Sequence, residues 1–223
     1  MESCDCQLRP THAGRRYSTA EEIANAVTHG LGAALSIAAI ALLATFAGLN
    51  GDAWHVVSVS LFGATLFILY LSSTLYHGLR PPRAKNVFMV FDHAAIFLLI
   101  AGTYTPFTLV TLRGPWGWTL FGLTWGVAIF GVVFSALSAG RHRWASLAMY
   151  LGLGWIVLVA IKPLVESLSA GGLMWMGLGG LCYTAGVIFY VGRRIPFNHA
   201  IWHLFVLAGS ICHFFAVFWY VVP

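Results

Sequence analysis

Three histidines interrupt an apolar stretch near the C-terminus, Pro196 to Val222: His199, His203 and His213. The first two are four residues apart, so on a helix they share one face, a turn apart, about 6 Å along the axis. Ser73 and His77 repeat that spacing at the end of a second apolar stretch, and Asp92 and His93 lie early in a third. Ionisable side chains at membrane depth are expensive and by default mark a functional site. Three imidazoles, from His77, His199 and His203, suit Zn2+, and three protein ligands with a fourth position open is the arrangement of a catalytic site. Such an ion lowers the pKa of a bound water towards about 7, and Asp92 would offset the ion's charge and orient or deprotonate that water. Ser73, one turn deeper than His77, would donate a hydrogen bond to a substrate carbonyl or to a group around the ligands.

Each residue taken singly has an ordinary explanation. A His-x-x-x-His pair in a membrane helix also arises from two histidines bonded to carbonyls of neighbouring helices. His77 alone reads as an interfacial histidine, Asp92 alone as a helix cap, and Ser73 alone as a serine bonded back to its own helix. What raises the metal reading above these is depth, and depth depends on the elements that carry the residues.

The chain of 223 residues is 59% hydrophobic and only 9% charged, against about 25% charged in soluble domains, so it reads as an integral membrane protein. About 20 apolar residues cross a bilayer core, and seven segments qualify, near 23–48, 54–78, 87–112, 116–137, 144–165, 172–193 and 200–222. The fold class is therefore all-α: a polytopic seven-helix bundle over residues 21–223, after a polar tail at 1–20. No signal peptide is expected in that tail. Arg9, Arg15, Arg16, Arg80, Arg83, Lys85, Arg141, Arg143, Arg193 and Arg194 fall on one side, and only Arg113 and Lys162 on the other. The positive-inside rule then places the N-terminus in the cytoplasm and the C-terminus outside. The net charge of +5 lies mostly in short loops beside the spans, so it does not indicate nucleic acid.

With that topology Ser73 and His77, Asp92, and His199 and His203 all reach one slab near the cytoplasmic face. His213 lies about 15 Å deeper than His203 and reads as cavity lining or an inter-helix hydrogen bond. Glu22, Asn25 and His29 share a face of the first span. Thr19 to Glu22 fits a capping box, so Glu22 is expected to close the helix start. Asn25 and His29 are expected to be inter-helix hydrogen-bond partners or to line the cavity, a structural role for all three. His93 lies about 100° round the helix from Asp92 and is expected to point elsewhere. His12, His55 and His142 carry no expected role, and Lys162 is expected to snorkel. Gly122 and Gly126 offer a small-xxx-small spacing for close helix approach. Cys4, Cys6, Cys182 and Cys212 suggest no structural disulfide. There is no H-E-x-x-H, G-x-S-x-G or Walker loop, and the last span lacks the lysine a retinal protein needs.

These residues together resemble the progestin and adipoQ receptor (PAQR) family: E22-x2-N25-x3-H29, S73-x3-H77, Asp92, and H199-x3-H203 followed by HFFAV. The tight loops and basic pattern are similar to its bacterial, hemolysin III-related branch, over about residues 20–222. The resemblance implies a seven-helix bundle in the inner (plasma) membrane and a zinc near the cytoplasmic face. By motif the ligands would be His77, His199 and His203, with Asp92 and Ser73 close by. The family is similar to the alkaline ceramidases, which implies a membrane-lipid or fatty-acyl ligand and a role in membrane-lipid homeostasis.

Two readings stay open at this point. One is an intramembrane zinc hydrolase of a lipid amide or ester bond, with Asp92 and Ser73 as catalytic residues. The other is a non-catalytic lipid sensor in which zinc is structural. A cytolytic pore, which the branch's name suggests, fits poorly with a chain expected to lack a secretion signal and hydrophobic enough to be a resident bundle.

Overall fold

The distribution of side chains is inverted relative to a soluble protein. On the first helix Ile23, Val27 and Leu31 face outward, each more than half exposed, while Asn25, His29 and Ser36 are buried. Chains in hydrocarbon must satisfy every backbone polar group internally, and helices do so with apolar faces outward and polar faces inward. The computed structural model describes residues 17–138, 141–192 and 194–223. Residues 1–16 of the tail, with Cys4, Cys6 and His12, lie outside the described residues, as does Arg193.

The helices are α1 (Thr19–Asn50), α2 (Ala53–Gly78), α3 (Pro82–Pro106), α4 (Pro115–Ser138), α5 (Arg143–Gly154), α6 (Ile161–Ser167), α7 (Ala170–Val191) and α8 (Asn198–Tyr220). α3 runs on through a π turn, Phe107–Thr111, and α5 reaches α6 through a 3-10 turn, Ile156–Ala160. Seven helical segments are thus long and apolar enough to span a membrane, with Arg143–Ser167 counted as one broken span. This is a multi-pass membrane protein, as its composition requires.

Sequence punctuation explains both irregularities. Pro106 has no N–H to donate and cannot continue a regular ladder, and the π turn follows it directly. At the break after Gly154, the Tyr104 hydroxyl donates to the Gly154 carbonyl at 2.6 Å and accepts from the Val157 N–H at 3.1 Å. One phenol thereby serves two backbone groups freed at membrane depth, where irregular backbone persists only if protein or a cavity surrounds it.

Consecutive helices α1 to α4 pack as neighbours, α7 packs along α8, and α1 closes against α8. Small residues allow several of these approaches. A side chain at Gly32 would meet Tyr70, and one at Gly131 would meet Phe97. Gly122 and Gly126 behave otherwise: both are exposed and nothing in the chain lies within 4 Å of where their side chains would be. The expected close approach on α4 uses Gly131 instead, because that glycine is on the inward face.

Opposite the site described below, Asp52 caps α2 and binds Arg113 at 3.1 Å, which ties the α1–α2 and α3–α4 turns together. His55, which carried no expected role, completes that cap, with Nδ1 2.7 Å from Asp52 Oδ1.

Candidate metal centre

At the end of the bundle where α2 finishes and α8 begins, His77, His199 and His203 converge. One ring nitrogen from each lies within 4.8 Å of the others. The i,i+4 spacing on α8 sets two of the rings 4.5 Å apart between centroids, and α2 brings His77 to 5.1 and 5.3 Å from them. His77 is 3% exposed and His203 is 1% exposed, so neither ring is hydrated.

The orientation of two of these rings follows from their other nitrogens. His77 Nδ1 lies 2.6 Å from Glu22 Oε2. A carboxylate only accepts, so Nδ1 carries the hydrogen and Nε2 the lone pair. That Nε2 is buried and has no hydrogen-bond partner. His203 Nδ1 lies 3.2 Å from the carbonyl oxygen of Asn25, another pure acceptor, so its lone pair is likewise on Nε2. An imidazole that donates one N–H to a carboxylate or carbonyl and leaves the other nitrogen free is the arrangement that surrounds bound metals. The residues present therefore fit a metal ion with nitrogen-preferring coordination.

Glu22 was expected only to close the start of α1, and the structure corrects this. The capping box is one residue earlier: Ser18 Oγ accepts from the Glu21 N–H, and Glu21 returns to the Ser18 N–H at 2.8 Å. Glu22 is thereby free to reach His77 on α2 and, through Oε1 at 2.7 Å, the Lys85 ammonium on α3. Asn25 and His29 lie at the site, as expected of an inter-helix partner and a cavity-lining residue. The Asn25 backbone orients His203, and the His29 ring stacks on His203 with centroids 3.5 Å apart, both of its nitrogens without partners. Tyr17 stacks on His199 at 5.3 Å. The i, i+3, i+7 pattern of the first span carried this signal, and the capping-box motif masked it.

The start of α8 explains how His199 reaches the cluster. Phe197 adopts a left-handed conformation, φ 54°, immediately before the helix, which is costly for a residue with a side chain. Its N–H donates to Glu21 Oε1 at 3.4 Å, so the α1 cap also fixes the α8 entry.

A cavity of about 380 Å³ extends from the cluster between α3, α5, α7 and α8. Its wall includes Asp92, His199 and His203 at one end and His213 further in, with apolar side chains between. Asp92 is buried and shares the cavity with two of the histidines, but it is not one of the converging ligand groups. His93, expected to point elsewhere, lines the same cavity, because α3 borders it over a broad arc; its Nδ1 donates to the Met89 carbonyl at 2.7 Å. Ser73 is fully buried on α2, one turn from His77, and its hydroxyl has no hydrogen-bond partner. It is not among the residues lining the cavity. His213 stacks on Tyr183 at 5.5 Å.

Comparison with known proteins identifies the family. The profile of the family described as "Haemolysin-III related" matches residues 17–214. "Hemolysin-3" of Bacillus cereus is 50% identical over 203 residues, covering 91% of this chain and 93% of that protein. The "Hemolysin-3 homolog" of Bacillus subtilis (strain 168) is 47% identical, covering 92% and 97%. The human "Monocyte to macrophage differentiation factor" is more distant, 28% identical over 95% of this chain and 89% of its own. No solved structure matches the chain. A profile match across nearly all the spans, with relatives near half identical along both chains, makes this protein a member of the haemolysin III-related branch of the PAQR family.

Proposed function

We propose that the chain is an intramembrane zinc-dependent hydrolase that cleaves an amide or ester bond of a membrane lipid, with its basic end at the cytoplasmic face of the plasma membrane. The observation that carries the reading is the buried His77–His199–His203 cluster at the end of an apolar cavity that also holds a carboxylate. Three imidazoles suit zinc, which when bound supplies a Lewis acid and activates water. His77 and His203 are held for that ion by Glu22 and the Asn25 carbonyl. The cavity admits an acyl chain and keeps bulk water from the reacting bond. Asp92, in the same wall, takes and returns a proton of the attacking water. Ser73, expected to serve either the substrate carbonyl or a group around the ligands, is outside the cavity wall, so its unengaged hydroxyl serves a group around the ligands.

A second reading is a lipid sensor with structural zinc, favoured by the separation of Asp92 from the ligand cluster. Zinc-loaded protein and its Asp92→Asn variant, incubated with a panel of ceramides, acyl-amides and phospholipids, distinguish the two. Hydrolysis requires fatty acid release that falls at least a hundredfold in Asp92→Asn at unchanged zinc content. Release from no lipid in the panel, with both proteins folded and loaded, leaves the sensor.

A further inference from the structure

A second pocket lies at the same end of the bundle, outside the histidine cluster. It has a volume of about 580 Å³ and is lined by Arg143 and Trp144 at the start of α5 and by Val191, Gly192, Arg194 and Ile195 after α7. The Arg143 guanidinium lies over the Tyr190 ring, 4.3 Å from its centroid, and donates to the Tyr190 carbonyl. Among the described residues no carboxylate pairs with Arg143 or Arg194; the ion pairs there belong to Glu22 and Asp52. Two guanidiniums without a counter-charge, beside an exposed tryptophan at the membrane surface, form a site for an anion. Arginine matches phosphate in both charge and donor geometry.

The pocket borders the cavity across Tyr190. α5 and α7 do not pack closely against each other, and the cavity occupies the seam between them. Leu147 and Leu151 follow Arg143 along one face of α5, and Val187 and Thr184 follow Tyr190 along α7; all four line the cavity. Tyr190 itself is the partition. Its ring supports Arg143 on one side, lines the cavity, and lies 6.3 Å from His199. A basic pocket between membrane helices is how phospholipid headgroups are held, and here the apolar cavity beside the histidine cluster begins on the other side of Tyr190.

We propose that Arg143 and Arg194 bind the phosphate of an anionic phospholipid whose chain lies in the α5–α7 seam. This names the substrate class of the hydrolase and rests on that reading only for the statement that the lipid is turned over. A soluble phosphate would satisfy the two arginines and leave the seam without an occupant; a neutral lipid would fill the seam and leave the arginines unpaired. An anionic lipid meets both.

The test is native mass spectrometry of delipidated, zinc-loaded protein in detergent, titrated with phosphatidylglycerol, phosphatidylcholine or glycerophosphate. Phosphatidylglycerol should be retained at least tenfold better than phosphatidylcholine, and glycerophosphate should not displace it at equal concentration. Arg143→Gln with Arg194→Gln should remove the preference, Arg143→Lys should keep most of it, and Leu147→Trp should weaken retention by filling the seam. Equal retention of the two lipids, displacement by glycerophosphate, or full preference in the double variant overturns the proposal. If Arg143→Gln lowers zinc content or thermal stability, the exposed Arg194→Gln decides alone, with a loss of at least threefold expected and no change overturning the assignment. Turnover is scored separately. Selective binding without hydrolysis removes the enzyme and keeps the lipid site, whereas hydrolysis without preference for anionic lipids does the reverse.

Discussion

Glu22 illustrates how a single side chain can be misread from its neighbours in sequence and then understood from its neighbours in space. Thr19 and Glu22 have capping-box spacing, yet the helix starts against Ser18 and Glu21 takes the capping role. That one-residue shift turns Glu22 towards His77 and Lys85. Residues that orient a ligating histidine typically account for ten- to a hundredfold in metal affinity. Glu22→Gln is therefore expected to weaken zinc binding by about that factor while leaving the fold intact, and His77→Ala to abolish it; competition against a fluorescent chelator measures both. An unchanged affinity in Glu22→Gln would remove Glu22 from the site. The three histidines themselves were legible because their types and depth were sufficient. Glu22, the Asn25 carbonyl and Tyr17 were not, because their contribution depends on which way α1 faces and on a backbone oxygen that no motif encodes.

At the scale of elements, the spans were legible because lipid demands long apolar helices, but their interruptions were less so. Gly154 and Pro163 mark a weak point in the fifth span, yet nothing in the local sequence says that Tyr104 on α3 will bridge it. Replacing Tyr104 by Phe leaves the Gly154 carbonyl and the Val157 N–H without that partner. A hydrogen bond contributes about 0.5–1.5 kcal/mol net, so losing both should lower unfolding stability of Tyr104→Phe by about 1–3 kcal/mol in a denaturant titration in mixed micelles. A loss below about 0.5 kcal/mol would mean that the break is satisfied some other way. The opposite end of the bundle has a pH signature. Asp52 lies between α1 and α2, and the His55 side chain first, then the backbone N–H groups of His55 and Trp54, hold its carboxyl at about 2 rather than the ordinary 3.8. A carboxyl held low in the folded state adds stability above the ordinary value and loses it as pH falls through about 2. The stability difference between wild type and Asp52→Asn should accordingly be constant above pH 5 and shrink towards zero near pH 2. A difference that instead grows on acidification would exclude the cap as its origin.

The whole molecule is held together unevenly, and this gives the proposed metal site a mechanical role. α1 to α4 form a continuous packed series and α7 lies along α8, but α2 and α8 meet chiefly through side chains. Tyr70 on α2 donates to Ser210 on α8 at 2.7 Å, and two turns further His77 faces His199 and His203. An ion shared by these three rings clips α2 to α8 and, through Glu22 and Asn25, fixes α1 against both. Such a ligand stabilises the folded state by mass action, about 2.7 kcal/mol when present at a hundred times its dissociation constant. Chelation should therefore lower the unfolding temperature, addition of zinc should restore it in a concentration-dependent way, and His203→Ala should start low and respond to neither. Hydrogen exchange should localise the loosening to the ends of α1, α2 and α8 that surround the histidines, and leave the α3–α4 contact protected. The same clip bears on the cavity. The seam between α5 and α7 remains loosely packed whether or not the histidines are occupied, because its walls belong to elements that the ion does not join. Lipid retention should then survive chelation to within about threefold, since Leu147, Leu151, Thr184 and Val187 along the seam hold no ligand and only the inner end of the cavity touches His199 and His203. If chelation instead released the lipid completely, the metal and the chain would be acting as one site, and the separation of clip from seam would be wrong.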